Sequence, residues 1–151
     1  MPLLKQTLRD GLAKTWGLNN APYPVDAGSA AFLWQEALRA YLTGLVPPST
    51  AIIPATVEFG KDILIASGNV PNGVVMIKLA FEKLAISTGV GMQPNFTATP
   101  PINFPISLII EVGYDTTSRE QGLDVWCDAI DAWFRTGIAI NNQTAISTPW
   151  A

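Results

Sequence analysis

Residues 117–137 read TSREQGLDVWCDAIDAWFRTG, and they carry the clearest helical pattern in the chain. Apolar side chains recur three and four residues apart, the spacing of one helical face, at Leu123, Trp126, Ile130 and Trp133. Two pairs have the spacing of a capping box at its start: Thr117 with Glu120, and Ser118 with Gln121. Gly137 is a typical stop. The stretch therefore predicts an amphipathic helix that buries both tryptophans.

The opposite side of this predicted helix carries a row of carboxylates, here named the acidic ridge: Glu120, Asp124, Asp128 and Asp131. Divalent cations prefer several carboxylate oxygens, so a cation site is one hypothesis for the ridge. Side chains on one straight helix point outward and seldom converge, which favours a solvated face instead. An ion-pair surface against a partner is the third interpretation. We predict no metal site.

Cys127 is the only cysteine, and it lies on the apolar side of the same predicted helix. A thiol nucleophile needs a base or a cationic neighbour that favours the thiolate. The sequence has no histidine, which removes the commonest general base, the commonest metal ligand and the usual pH switch. We therefore expect a small buried hydrophobe at this position and no catalytic residue.

Four other segments have helical patterns that end before a glycine. They cover a first helix that ends at Gly17 and the ranges 30–43, 55–67 and 73–88. Residues 55–67 and 106–112 are rich in apolar and β-branched side chains, so periodicity leaves helix and strand open for both. The fold prediction is a mainly α protein with four to five helices and one or two short strands. One of these strands is expected at residues 138–140.

Residues 91–115, here named the arm, hold four prolines before residue 106. Proline excludes a regular helix as far as Pro105, yet the apolar side chains of the arm need cover. We predict a long, ordered, extended arm and a C-terminal tail (residues 138–151), both attached to one helical domain that spans residues 1–151. Segments 92–105 and 144–151 are the predicted contact regions. The candidate interface residues are Trp16, Tyr23, Met92, Phe96, Ile102, Phe104 and Trp150.

The composition is apolar and poor in charge, with 48% hydrophobic and only 14% charged residues. Average chains carry roughly 25% charged residues, so a surface this sparse in charge favours cover by other subunits. The alternative is a compact monomer whose surface is made polar by Ser, Thr, Asn and Gln. The net charge of −3 comes with no basic cluster, so we expect no nucleic-acid partner.

Several function classes lack their signatures. No run of apolar residues is long enough to predict a membrane span, and the first sixteen residues do not resemble a secretory signal. No Gly-rich phosphate loop or nucleophile elbow occurs, so we expect no cofactor, no small-molecule substrate and no enzyme. An enzyme that works without histidine is kept as the third hypothesis.

Three segments carry a family resemblance: AFLWQEALRAYLTGLVPPST (31–50), GMQPNFTATPP (91–101) and AWFRTGIAINN (132–142). They resemble segments of small uncharacterised proteins from the structural-gene regions of tailed bacteriophages. The resemblance implies a virion subunit of the head, neck, tail or baseplate, assembled in the host cytoplasm. Its partners would be copies of itself and other virion subunits. A small helical adaptor that binds an apolar peptide or ligand is the alternative.

Overall fold

The computed structural model describes residues 2–18, 20–69 and 71–151, which form six helices and three strands. In chain order these are α1 (Lys5–Ala13), α2 (Ala27–Leu42), α3 (Ile52–Ser67), α4 (Gly73–Val90), β1 (Phe96–Thr99), α5 (Ile106–Tyr114), α6 (Arg119–Phe134), β2 (Ile138–Asn141) and β3 (Ser147–Pro149). The prediction of a mainly helical protein is confirmed. The predicted count of four to five helices is one short, because residues 106–112 belong to a helix of their own.

The two segments that periodicity left open are both helical. In α3, Pro54 lies in the first turn, where its missing N–H costs no hydrogen bond. The Thr56 hydroxyl donates to the Ile52 carbonyl within the same helix. Of the two capping pairs considered for α6, the structure uses Ser118 with Gln121. The Ser118 hydroxyl accepts from the Gln121 N–H at 3.2 Å, and the Gln121 amide oxygen accepts from the Thr117 N–H at 2.8 Å.

Each of the first four helices packs against the next one in the chain, and the last helix packs against the first. α1 lies against α2, α2 against α3 and α3 against α4, while α6 packs on both α1 and α5. The first two helices approach closely at Gly11, where an added Cβ would lie 2.7 Å from the Ala37 Cβ. One continuous cluster of buried side chains includes residues from all six helices. The core is therefore shared by the whole described chain.

Aromatic rings form a connected path through this core. Neighbouring rings have centroids between 4.0 and 6.4 Å apart, and most pairs meet edge to face or tilted. The path joins Trp16, Trp34, Tyr41, Phe59, Phe81, Phe104, Trp126, Trp133 and Phe134. Trp133 is buried as predicted, whereas Trp126 is only partly buried against the core.

A small antiparallel sheet has the strand order β1-β2-β3. Phe96 lies opposite Asn141 in the first pairing, and Ile138 lies opposite Pro149 in the second. The strand expected at residues 138–140 is confirmed as β2. The sequence pattern predicts neither β1 nor β3, and β1 lies within the segment predicted to be the extended arm. The arm is instead divided among β1, a crossing loop (residues 100–105) and α5.

Candidate interaction surface

The seven candidate interface residues fall into three groups. Met92, Phe104 and Trp150 are buried in the core of the same chain. Trp16 and Phe96 are partly buried and pack against that core. The side chains of Tyr23 and Ile102 are exposed, by 57% and 72%. The expectation that another subunit covers this set is corrected for the first group, because their cover comes from this chain.

The crossing loop is fixed to α4 and α6 by contacts on both sides. The ring of Phe104 stacks on Phe81 of α4, with centroids 4.0 Å apart and planes 7° apart. The Trp133 indole N–H donates to the Ile102 carbonyl at 2.9 Å, while the Ile102 side chain points to solvent. Asn103 between them has a φ of 56°, in the left-handed region that Asn tolerates better than most residues. These contacts explain how a Pro-rich stretch is ordered without a partner chain.

Glu82 of α4 binds the backbone of the crossing loop. Its carboxylate accepts a hydrogen bond from the Phe104 N–H at 3.1 Å and is paired with Lys78 one helical turn earlier. Burial alone would raise the pKa of Glu82, but the hydrogen bonds from Lys78 and from the Phe104 and Asn103 backbone outweigh it and leave this pKa below its ordinary value. The ionised form of Glu82 therefore stabilises the loop.

The C-terminal tail is part of the fold. The Trp150 side chain is 1% exposed and lies between two glycines, Gly89 of α4 and Gly137 before β2. The backbone N–H of Trp150 donates to the Gly137 carbonyl at 2.8 Å. Ala151 also exchanges two backbone hydrogen bonds, at 2.7 and 3.0 Å, with Val46 in the loop between α2 and α3. Trp150 therefore docks in a pocket that belongs to its own chain.

Among the described helices, α4 has the most exposed large apolar side chains, although the sequence predicts no interface there. Four positions on one stripe of this helix, here named the α4 face, are each more than half exposed: Val75, Leu79, Ile86 and Val90. The opposite side of α4 is buried through Ala80, Phe81 and Leu84. Residues 73–90 place apolar side chains on the outer side of the helix as well as on its core side, beside Lys78, Glu82 and Lys83. Apolar positions beyond the one core-facing stripe of a surface helix could have revealed the surface.

The α4 face extends toward α3 and has a charged border there. A groove of about 250 Å³ between the two helices is lined by Ile65, Met76, Leu79 and Ala80, with Asp62 and Lys83 at its edge. The Lys83 ammonium lies 3.4 Å from an Asp62 oxygen and 3.9 Å from a Glu58 oxygen. The border is therefore charge-paired, while the stripe itself carries only aliphatic side chains.

A second apolar groove lies between α5 and α6. It has a volume of about 360 Å³ and is lined by Leu108, Ile109, Val112, Val125, Asp128 and Ala129. Asp128, the charged residue of this lining, already pairs with Lys5 at 2.7 Å. The groove is thus suited to an apolar segment.

Three of the four carboxylates of the acidic ridge, those of Asp124, Asp128 and Asp131, are paired within the chain. Lys5 and Arg9 of α1 contact Asp128 and Asp124, each at 2.7 Å, so the ridge holds α1 against α6. Asp131 accepts hydrogen bonds from the Tyr41 hydroxyl at 2.7 Å and from the Arg135 guanidinium at 3.0 Å. Across residues 2–18, 20–69 and 71–151, no group of three acidic or cysteine side chains converges as a metal site would require. Asp124 and Asp128 stay at least half exposed while paired with α1, so the ridge is a solvated face whose ion pairs lie within the chain.

Cys127 belongs to α6 and is 1% exposed. Burial, helped by the nearby Asp124 carboxylate, raises the pKa of its thiol to about 12. Burial and the hydrogen bond to Asp131 likewise raise the pKa of Tyr41 well above its ordinary value. Neither group is in a state that favours nucleophilic or acid–base chemistry near neutral pH.

Comparison with protein-family models, curated proteins and solved structures finds no match to this chain. Within the part of the chain that the structure describes, no helix combines the length and the apolar character that a membrane crossing needs.

Proposed function

We propose that this chain is a non-enzymatic structural subunit of a large assembly, namely a component of a tailed-phage virion in the head, neck, tail or baseplate. The assembly part of the proposal is supported by one observation, the exposed α4 face. Large exposed apolar patches mark interaction sites, and this face presents four aliphatic side chains that are each more than half exposed. Burial of each half-exposed Val, Leu or Ile of this face would contribute roughly 1 kcal/mol to association. The virion part rests on the resemblance of segments 31–50, 91–101 and 132–142.

In this proposal the contact region differs from the one that the sequence predicts. Met92, Phe104 and Trp150 stabilise the subunit itself, because they fill its core. Association would then use the α4 face, with the exposed Ile102 and Tyr23 available as further contacts. The partners are copies of this chain and other virion subunits.

The test compares two substitutions at equally exposed aliphatic positions. Leu79 on the α4 face is 55% exposed, and Ile53 in the first turn of α3 is 56% exposed. Sedimentation velocity over a wide concentration range would measure the mass of the wild type, Leu79→Lys and Ile53→Lys. We expect a discrete assembly for the wild type and Ile53→Lys, and monomers for Leu79→Lys. A wild type that stays monomeric at high concentration, or a Leu79→Lys variant that assembles normally, would contradict the proposal.

The second candidate, a small binding module, is favoured by the groove between α5 and α6. Its volume falls within the usual range for ligand sites, roughly 300–1,000 Å³, and its lining is mainly aliphatic. Stoichiometry distinguishes the two functions, because a binding module holds one partner per chain whereas a structural subunit forms many-copy assemblies. A Val112→Lys substitution would block the groove and leave the α4 face intact.

A further inference from the structure

We propose that the α4 face binds the same face of a second copy of this chain, with the two α4 helices antiparallel about a twofold axis between residues 82 and 83. This inference rests on the proposed function and names the partner of that surface. It is carried by the order of the apolar side chains along α4.

A twofold interface requires a surface that is complementary to itself. Val75 and Val90 lie equally far from the point between residues 82 and 83, and so do Leu79 and Ile86. The stripe therefore has the same order of apolar positions when it is read from either end. Rotation about the axis places Val75 against Val90 of the second copy, and Leu79 against Ile86.

The exposure of the four side chains is as uniform as their spacing. Val75, Leu79, Ile86 and Val90 are 57%, 55%, 54% and 66% exposed, so each has apolar surface left to bury. They span about 22 Å of helix at 1.5 Å per residue, which is enough for several turns of close helix packing. A stable interface buries about 800 Å² per partner, more than one helical stripe supplies. Ile65 of α3, which is 59% exposed beside Leu79, widens the surface in that direction.

The charges near the axis are compatible with this pairing. Rotation brings Lys83 close to Lys83 of the second copy, on the side where α3 lies. Each lysine already has two carboxylates within 4 Å, those of Glu58 and Asp62, which compensate the positive charge of its ammonium group. Rotation likewise brings Glu82 close to Glu82 of the second copy on the other flank, where each is already paired with Lys78 and accepts from the crossing loop. The axis therefore carries no uncompensated like charge.

Cysteine cross-linking tests the register directly. In the antiparallel pairing, Val75→Cys of one copy faces Val90→Cys of another, whereas identical positions lie about 22 Å apart. We expect a short bis-maleimide to give covalent dimers in a mixture of the two variants and none with either variant alone. The wild type serves as a control, because its Cys127 is buried. Adding Leu79→Lys to both variants should abolish the cross-linked dimer, and adding Ile53→Lys should leave it unchanged.

Three outcomes would overturn the antiparallel self-pairing. Cross-linking of either single variant with itself would indicate a parallel arrangement. The second outcome is that the wild type assembles, Leu79→Lys does not, and the two cysteine variants give no mixed dimer. The α4 face would then contact a different surface of its partner, and the proposed function would stand. A protein whose mass is unaffected by Leu79→Lys and that gives no mixed dimer would overturn both proposals. The sedimentation and cross-linking results together distinguish these cases.

Discussion

The indole of Trp150 lies directly on the backbone of Gly137, so closely that a Cβ at this glycine would fall 2.5 Å from the ring. On its other side the ring faces Gly89, where a Cβ would be 3.5 Å away. Both glycines follow helix-ending patterns in the sequence, and their second role is to leave space for this ring. The tail is therefore a structural part of the subunit, which changes what its removal should do.

Replacement of Trp150 should destabilise the fold itself. We expect Trp150→Ala to lower the free energy of unfolding by about 3–5 kcal/mol, the usual cost of deleting a buried aromatic side chain. Urea unfolding followed by circular dichroism measures this change. Ile146→Ala, at an exposed position of the same tail, should change it by less than about 0.5 kcal/mol. Equal stability of the two variants would mean that the tail is dispensable for folding.

Local pattern was enough to predict most helices but not what covers the arm. The period of apolar residues predicts α6, and glycines and prolines predict several helix ends. The prolines of the arm exclude helix as far as Pro105, and α5 begins at the next residue. The cover for Phe104 comes from Phe81 and Trp133, which lie far from it in the sequence. Such long-range packing leaves no local signal, and the cover was therefore assigned to other subunits.

Strand pairing was missed for a related reason. β1 pairs with β2 across the whole of α5 and α6, so no short hairpin turn joins these two strands. The turn between β2 and β3 is short, and Ala145 within it has a φ of 57°, which its residue type does not suggest. The α4 face was detectable, because residues 73–90 carry apolar side chains on the outer side of the helix as well as on its core side.

Loss of the Glu82 charge should weaken the crossing loop in a pH-dependent way. At pH 7 we expect Glu82→Gln to lower the free energy of unfolding by about 1–3 kcal/mol, because a charged acceptor for the Phe104 N–H is lost. The folded-state pKa of Glu82 lies below its ordinary value of 4.5, so its contribution is present above that pH and is lost as the pH falls through the folded-state pKa. Urea unfolding at several pH values measures the difference.

The difference between the wild type and Glu82→Gln should therefore narrow as the pH falls below about 4.5. Glu111→Gln, at an exposed position of α5, controls for the loss of one carboxylate elsewhere. A constant difference across the acidic range would mean that ionised Glu82 does not stabilise the loop.

The thiol of Cys127 should react slowly in the folded protein. It is buried between α1 and α6, and its pKa of about 12 leaves almost no thiolate at pH 8. We expect complete labelling by a thiol-specific reagent only after the chain unfolds in denaturant. The native labelling rate should rise in Arg9→Ala, because loss of the Asp124 ion pair loosens α1 against α6. Rapid labelling of the native wild type would reopen the question of a reactive thiol.

The last prediction concerns two helical glycines that periodicity treats alike. Gly11 lies within α1 and Gly113 within α5. Glycine is a poor helix former, so a change to Ala at such a position commonly stabilises a helix by up to about 1 kcal/mol. The two glycines differ in the space that a Cβ would have. A Cβ at Gly11 would lie 2.7 Å from the Ala37 Cβ and 2.9 Å from its Cα, whereas a Cβ at Gly113 would meet nothing within 4 Å.

We therefore expect opposite effects from the same substitution. Gly11→Ala should lower the free energy of unfolding by about 1–3 kcal/mol, because the extra methyl group forces α1 and α2 apart. Gly113→Ala should leave the free energy of unfolding unchanged or raise it by up to about 1 kcal/mol. Thermal and urea unfolding of the two variants, measured side by side, give both signs. Stabilisation by Gly11→Ala would mean that α1 does not pack against Ala37 at this distance, and the close approach of the first two helices would have to be abandoned.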